Sequence, residues 1–308
     1  MPTDPMIADL VEVAQQEFRA GRHEVAAALA ALIDEYAPDE MDHALTDCEA
    51  AELNYRAALI FDHNHYSAHL GLALLRLPGP DYLVWLERLY GLLAPKAVVE
   101  IGVRDGESLA LVPAPSMAIG VDPSPKVKVA LRAETHIFPE TSDDFFAASR
   151  IDKLLSDRPL SFGFIDGLHL FEQALRDFIN LEAHCGPEAV ILFHDTIPLD
   201  EPTQRRTCET SFYTGDVWKT ILCLKHYRPD LDIFTIATPP TGLTVVTNLD
   251  PKSRVLTYRY EEAVARFIET SYSAFECVMD AALNVVPNDW DTVKSRLRQR
   301  LILKRDEC

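Results

Sequence analysis

Glu100, Asp122, Asp166 and Asp195 each stand at or beside the end of a short apolar run, with His169 three residues after Asp166 and His194 directly before Asp195. Carboxylates and imidazoles at such spacing suit proton transfer and metal ligation. A neutral imidazole is available near pH 7 as a general base. If the apolar runs are parallel strands of one open sheet, their carboxyl ends line one edge, which is where such sheets bind ligands. Four acids in register along that edge exceed what a bland core supplies.

The first of these acids belongs to VVEIGVRDGESLALV, residues 98–112. Gly102 and Gly106 permit tight turning and close approach of backbone to a ligand. Ser108 opens an apolar run of helical texture, and N–H groups at a helix start favour a negative ligand group. A nicotinamide-binding loop would show GxGxxG; this one shows GxxxG. Asp122 lies twenty-two residues after Glu100. There it can accept two hydrogen bonds from a ribose diol and would repel a 2′-phosphate. The bland alternative is a turn-former before Pro123.

The elements that must position these residues change character along the chain. Residues 1–93 read as helices, with alanine and leucine at helical spacing in EVAAALAALIDEYA and AELNYRAALIFD. Ala51, Tyr55 and Ala58 fall at i, i+4, i+7, and Trp85 lies 34 positions after Ala51. That pattern resembles a tetratricopeptide repeat, whose period it matches, with Gly71 and Ala73 suiting the next helix; an earlier unit at Phe18, Gly21 and Ala27 is out of phase. An ordinary helical cap fits the same residues. From Ala97 short apolar runs alternate with helix-like stretches: AVVEI, SMAIGV, THIF, LSFGFI, AVILF, DIFTIA and LTVVTN. Their length and bounding turns predict buried strands with crossover helices, hence an α/β fold with a mostly parallel sheet. TPPTG between the last two runs is too short for a parallel crossover and predicts an antiparallel hairpin. Residues 251–308 read as helices again.

The chain has 308 residues and a formal net charge of -19, which argues against binding a nucleic-acid backbone. Residues 1–95 carry five Arg and no Lys against sixteen acids. The basic stretch KSRLRQRLILKRDEC fits a solvated amphipathic helix better than a binding arm. Six cysteines without a CxxC pair suggest neither a zinc knuckle nor a redox pair, and fit a reducing compartment. With neither a signal-peptide pattern nor an apolar run of about 18 residues, the expectation is a cytoplasmic protein off the membrane.

Taken together, EIGVRDGES, GVDPS, IDGLHLFEQALRDF and ILFHDT resemble class I S-adenosylmethionine-dependent methyltransferases, in the branch related to small-molecule and sugar O-methyltransferases. TGDVWKTILCLKHYRPDL and PTGLTVVTNLD are similar to the same branch. The resemblance covers residues 94–250 and implies a Rossmann-like sheet of seven strands, the last antiparallel. It implies S-adenosylmethionine as cofactor, with Glu100, Gly102, Gly106 and Ser108 at its methionine end and Asp122 at the ribose. Ser142 and Asp143 would sit near the adenine, and Asp166 beneath the sulfonium. Some relatives need Mg²⁺ or another divalent metal; the matching positions here are Asp166, His194 and Asp195, with histidine where an acid or amide is usual. His169, His194 and Asp195 are the candidates for catalysis, and the acceptor is expected to be a small-molecule hydroxyl. Trp218 is open between lid and core, and Arg205 and Arg206 between an anionic substrate and solvent. Self-association through the helical ends is left open. The competing reading is a scaffold that binds cofactor, or nothing, without catalysis.

Overall fold

The computed structural model describes residues 47–156 and 158–306, together with Val13, Ala28 and Leu29. Phe18, Gly21, Ala27 and most of EVAAALAALIDEYA lie outside these residues. By contacts the chain divides into two compact units: one runs to Pro78 and includes Cys208–Tyr213, and the other comprises Gly79–Thr207 and Thr214–Cys308.

In the first unit, helices α1 (Asp47–Phe61) and α2 (Tyr66–Arg76) form a hairpin. A side chain at Gly71 would collide with the ring of Tyr55. The missing Cβ is what lets the tyrosine fill the gap between the helices. His65 caps α2 by accepting from the Ala68 N–H.

The second unit is built on an eight-stranded sheet in the order β3-β2-β1-β4-β5-β7-β6-β8. Its strands are β1 (Ala97–Ile101), β2 (Met117–Val121), β3 (Glu134–Phe138), β4 (Leu160–Ile165), β5 (Cys185–His194), β6 (Asp232–Ile236), β7 (Leu243–Thr247) and β8 (Val285–Val286). All seven expected runs are strands. β7 is antiparallel to both β5 and β6, so TPPTG does close a hairpin. The eighth strand, parallel to β6 at its outer edge, is two residues long and too short to show as an apolar run.

Helix α3 (Tyr82–Leu93) precedes β1 and is capped by Asp81, whose carboxylate accepts from the Val84 N–H. It turns Trp85, Leu86, Leu89 and Tyr90 into the sheet and joins one core with Val98, Phe162, Phe164, Val190 and Leu192. That shared core is why α3 belongs with the sheet rather than with the preceding helices. The C-terminal helix α11 (Trp290–Asp306) adds Val293 and Leu297 to the same core.

Two crossovers depart from the expected alternation. Between β1 and β2 the Ser108 run forms only a three-residue 3₁₀ turn, Leu109–Leu111. Pro113 and Pro115 follow at once and deny a longer helix its hydrogen bonds. Val103 and Leu109 pack directly against Gly120 of β2, where a Cβ would fall 2.7 Å and 3.0 Å from their side chains. The expected anion-binding helix start is therefore absent. Residues 122–133 between β2 and β3 also contain no helix.

Helices α4 (Ser142–Ala147) and α5 (Arg150–Leu155) connect β3 to β4. Helix α6 (Phe171–Glu182) follows β4 and covers the other sheet face, stacking Phe178 on Phe193 at 5.9 Å. Helix α7 (Trp218–Tyr227) packs beside it. α8 (Val255–Phe267), α9 (Tyr272–Glu276) and α10 (Met279–Leu283) complete the chain before β8.

Candidate active site

Side chains alternate between the faces of a strand. Val98 and Glu100 on β1, Phe162 and Phe164 on β4, and Val190, Leu192 and His194 on β5 are all in step. The apolar members lie in the core beneath α3. Glu100 and His194 are the polar ends of those rows, and Asp166 continues the β4 row just past its last residue.

Glu100 is fully buried. Its Oε1 accepts from Ser108 Oγ at 2.7 Å, and its Oε2 has no hydrogen-bond partner. Burial pushes its carboxyl up to about 8, the Ser108 bond opposing and the charges of Asp166 and Asp122 adding to the rise. A buried acceptor with no donor costs free energy unless something supplies one. Gly102 follows at φ +90°. A Cβ there would strike the backbone carbonyl of Asp166, so the glycine lets the loop lie against the Asp166 turn. The Asp166 N–H donates to the Ile101 carbonyl at 2.8 Å across the same seam. Gly106 is also left-handed, at φ +85°.

Asp122 closes this loop from below. Its Oδ2 accepts from the N–H groups of Val103 at 2.9 Å and Arg104 at 2.8 Å, and its Oδ1 from that of Ser124 at 2.6 Å. It stands just past the end of β2 and, as the turn-forming reading expects, holds the backbone around it. Ser142 and Asp143 head α4 and share Gln173 of α6, whose Nε2 donates to Ser142 Oγ at 3.1 Å and Asp143 Oδ1 at 3.2 Å. The same amide reaches Asp177 at 3.1 Å. Burial pushes Asp177 up to about 6, against the hydrogen bonds it accepts. These residues form a group of their own, tied to α6 and not to the histidines.

Past β4 and β5, two imidazoles and two carboxylates alternate in a ring. His194 Nδ1 lies 3.1 Å from Asp166 Oδ1 and 3.5 Å from Asp195 Oδ2. His169 Nε2 lies 3.0 Å from Asp195 Oδ2 and 3.7 Å from Asp166 Oδ1. Burial opposes charge on His169, yet Asp195 and Asp166 outweigh it and push the imidazole up to about 9. His194 moves the same way against its burial, well above the usual histidine range. Burial alone would raise Asp166, but His194 and His169 hold it well below the usual carboxylate range. The two carboxylates thus favour the charged form of both imidazoles.

Three further residues complete the ring, and none stands out in the sequence. Tyr82, the first residue of α3, places its ring 4.1 Å from that of His194, centroid to centroid. Its hydroxyl is pushed far up by burial and then by Asp166, Asp195 and Glu100, so it stays a proton donor. Thr241 of the β6–β7 turn donates to Asp195 Oδ1 at 2.6 Å and lies 3.4 Å from His194 Nε2. Asp195 itself is left-handed, at φ +57°, a conformation that costs a non-glycine residue energy and clusters at functional sites. Gly215, in the TGD segment, has φ +58°, and any Cβ there would strike the His169 carbonyl. Its neighbour Asp216 is fully buried, accepting from the Phe171 N–H at 2.8 Å and from Arg206 at 2.8 Å.

Arg206 is thus bound to Asp216 and Glu172 and braces the turn. Arg205 pairs with Glu201 on the surface. Trp218 is core: it is fully buried and stacks on Phe275 at 3.9 Å and 14°.

Residues 99–196 match the family model of a methyltransferase domain. The matched segment runs from β1 to just past β5, and holds every site residue foreseen from the sequence. The sheet, mostly parallel with helices on both faces, resembles the Rossmann-like methyltransferase type. No curated protein matches the chain. Among solved structures, the O-methyltransferase from Bacillus cereus in complex with S-adenosylhomocysteine is similar at 13% identity, covering 71% of this chain and 97% of that one, TM-score 0.41. The O-methyltransferase TomG from Streptomyces achromogenes, involved in tomaymycin synthesis and in complex with S-adenosylmethionine, shows 16% identity, 67% and 100% coverage and a TM-score of 0.42. The S-adenosylhomocysteine-bound methyltransferase PaMTH1 of Podospora anserina shows 15% identity, 67% and 98% coverage and a TM-score of 0.42. Among the described residues no helix is long and apolar enough to cross a membrane.

Proposed function

We propose that the protein transfers a methyl group from S-adenosylmethionine to a hydroxyl of a small-molecule acceptor. The observation that carries this is the seam at Gly102. It presses the loop of Glu100 against the Asp166 turn, within a segment that matches a methyltransferase domain. Cofactor residues and a proton-handling ring thereby meet at one sheet edge.

The cofactor supplies an electrophilic methyl on a cationic sulfur. The donor set fits it: Glu100 Oε2 is a buried acceptor awaiting a cationic group, and Gly102 and Gly106 leave the loop open to close approach. The chain then has to align the acceptor oxygen with that methyl and take up the hydroxyl proton. Asp166 lies between the loop and the ring, so it marks the boundary between donor and acceptor. The outer imidazole, His169, is the one an acceptor would meet. In its neutral form His169 takes up the hydroxyl proton, and Asp195 and Asp166 stabilise the charged ring that results. Asp166 and Asp195 would hold a divalent metal, which would lower the pKa of a bound hydroxyl. The N-terminal helices are read as a tetratricopeptide-like domain before the methyltransferase domain.

The test is methyl transfer from labelled S-adenosylmethionine to a panel of phenols and sugars, comparing the native protein with His169→Ala. Turnover should fall at least tenfold while cofactor affinity changes little. Equal loss of both would assign His169 a structural role. A scaffold would bind cofactor or nothing and transfer no label.

A further inference from the structure

Three peptide bonds join the two compact units: Pro78–Gly79, Thr207–Cys208 and Tyr213–Thr214. Each enters the sheet unit close in sequence to a residue that touches or braces the ring. Tyr82, against His194, follows Gly79 by three residues. Arg206, which binds Asp216, directly precedes Thr207. Gly215, against the His169 carbonyl, directly follows Thr214.

The last two junctions belong to one loop with a neck in the sheet unit and a head in the helical unit. In the neck, the carbonyl of the buried Thr203 accepts from the Thr214 N–H at 2.9 Å, the Gly215 N–H at 3.2 Å and Thr214 Oγ1 at 3.1 Å. The neck also holds the His169 turn at two points. The Asp216 N–H donates to the His169 carbonyl at 3.3 Å, and the Asp216 carboxylate accepts from the Phe171 N–H at 2.8 Å. The head, Cys208–Tyr213, is gripped by the helical hairpin. Phe212 is buried and stacks on His69 of α2 at 5.9 Å and 15°, with Tyr66 at 6.1 Å. The Ser211 N–H donates to Asn64 Oδ1 in the turn between α1 and α2. Thr210 Oγ1 donates to the Phe212 carbonyl at 2.7 Å and closes the head on itself.

Surface loops with close ends and packing of their own are frequently functional. This one is held at its head by one unit and at its neck by the other, with no slack between them. A residue spans at most about 3.6 Å of chain, so the single residue Thr207 on one side and the Tyr213–Thr214 bond on the other pass on a displacement that a longer linker would absorb.

We propose that this loop couples the helical unit to the ring: a head seated on α2 fixes the His169 turn through the neck, and a head released from α2 frees that turn. The helical unit is thereby a control element for the position of His169. The coupling concerns the turn itself and holds whatever reaction the ring performs. By linkage it runs both ways, so loosening the neck loosens the head.

The experiment is native-state hydrogen exchange of the full-length protein at single-amide resolution, comparing the native chain with Phe212→Ala, Asn64→Ala and Arg206→Gln. Phe212→Ala removes the ring seated on α2; Asn64→Ala removes one hydrogen bond to the head and is the milder variant. The Phe171 and Asp216 amides should exchange at least about tenfold faster in Phe212→Ala and by a smaller factor in Asn64→Ala, while β1 and β4 exchange as in the native chain. Arg206→Gln should speed exchange in residues 208–213. Acceleration confined to residues 208–213 and α2 in both head variants, with Phe171 and Asp216 unchanged, would overturn the proposal. So would equal acceleration in β1 and β4, which marks general destabilisation, or an unchanged head in Arg206→Gln.

Discussion

The ring of Tyr82 lies 4.1 Å from the ring of His194, tilted by 37°. One residue opens the helix before β1 and the other closes β5, 112 positions later in the chain. Tyr82 is held there from behind. Its N–H faces the Pro239 carbonyl at 3.3 Å, and Thr238 and Asn288 both donate to the Pro80 carbonyl, at 2.7 Å and 3.0 Å. Trp85, one turn further along, donates to Asn288 at 2.6 Å. Tyr82→Phe should therefore keep the ring contact and most of the stability. Tyr82→Ala should lower stability by about 2 kcal/mol and turnover at least tenfold. Thermal unfolding of both variants checks the first part, and label transfer the second.

Thr241 spends its proton on Asp195. Thr241→Val is nearly isosteric and removes that buried hydrogen bond, leaving a carboxylate oxygen short of a donor. The expected cost is about 1–3 kcal/mol. Cofactor affinity should not change, because the Thr241 hydroxyl bonds Asp195 whereas Glu100 bonds Ser108. A parallel drop in S-adenosylmethionine affinity would show that donor and acceptor ends are not separable in this way.

Gly215 supports His169 through a contact that no side chain can share. Gly215→Ala meets both a left-handed φ and the His169 carbonyl, and should cost at least about 2 kcal/mol. Gly91, where a Cβ would meet nothing within 4 Å, is the control: Gly91→Ala should be neutral or mildly stabilising. Chemical unfolding of the pair separates the steric effect from a general response to alanine.

Glu100 makes stability depend on pH. Its carboxyl is raised from an ordinary value near 4.5 to about 8 in the folded chain. The folded state therefore holds a proton that the unfolded state releases. The stabilisation is complete below about 4.5 and is lost as pH rises through about 8. Native protein should lose melting temperature over that window relative to Glu100→Gln. A cationic group arriving at Oε2 should expel the proton, so S-adenosylmethionine binding at pH 7 should release protons that Glu100→Gln does not release. Calorimetry in buffers of different ionisation enthalpy measures this.

How much of this was legible in the sequence follows from range. The seven apolar runs and the acids at their ends are local patterns, and each run became a strand. Glu100 and Ser108, eight residues apart, were assigned together and do hydrogen-bond. Asp166 and His169 meet within one turn. What could not be read comes from elsewhere in the chain: Tyr82 arrives on a helix grouped with the N-terminal domain, and Thr241 sits in a turn notable for its prolines. The upward shift of the histidines was also hidden, because it depends on two carboxylates brought within 4 Å by separate strands. The missing helix after Ser108 was readable in principle from Pro113 and Pro115, which outweigh the apolar spacing before them.

The most direct measurement is calorimetric titration of the full-length protein with S-adenosylmethionine and S-adenosylhomocysteine, alongside Glu100→Gln and Gly102→Val. Glu100 Oε2 is buried without a donor and Gly102 keeps the loop against Asp166. Micromolar binding of both ligands to the native protein is expected, weakened at least tenfold in Glu100→Gln and lost in Gly102→Val. Absence of binding by the folded native protein, with or without divalent metal, would contradict the assignment of this edge to methyl transfer.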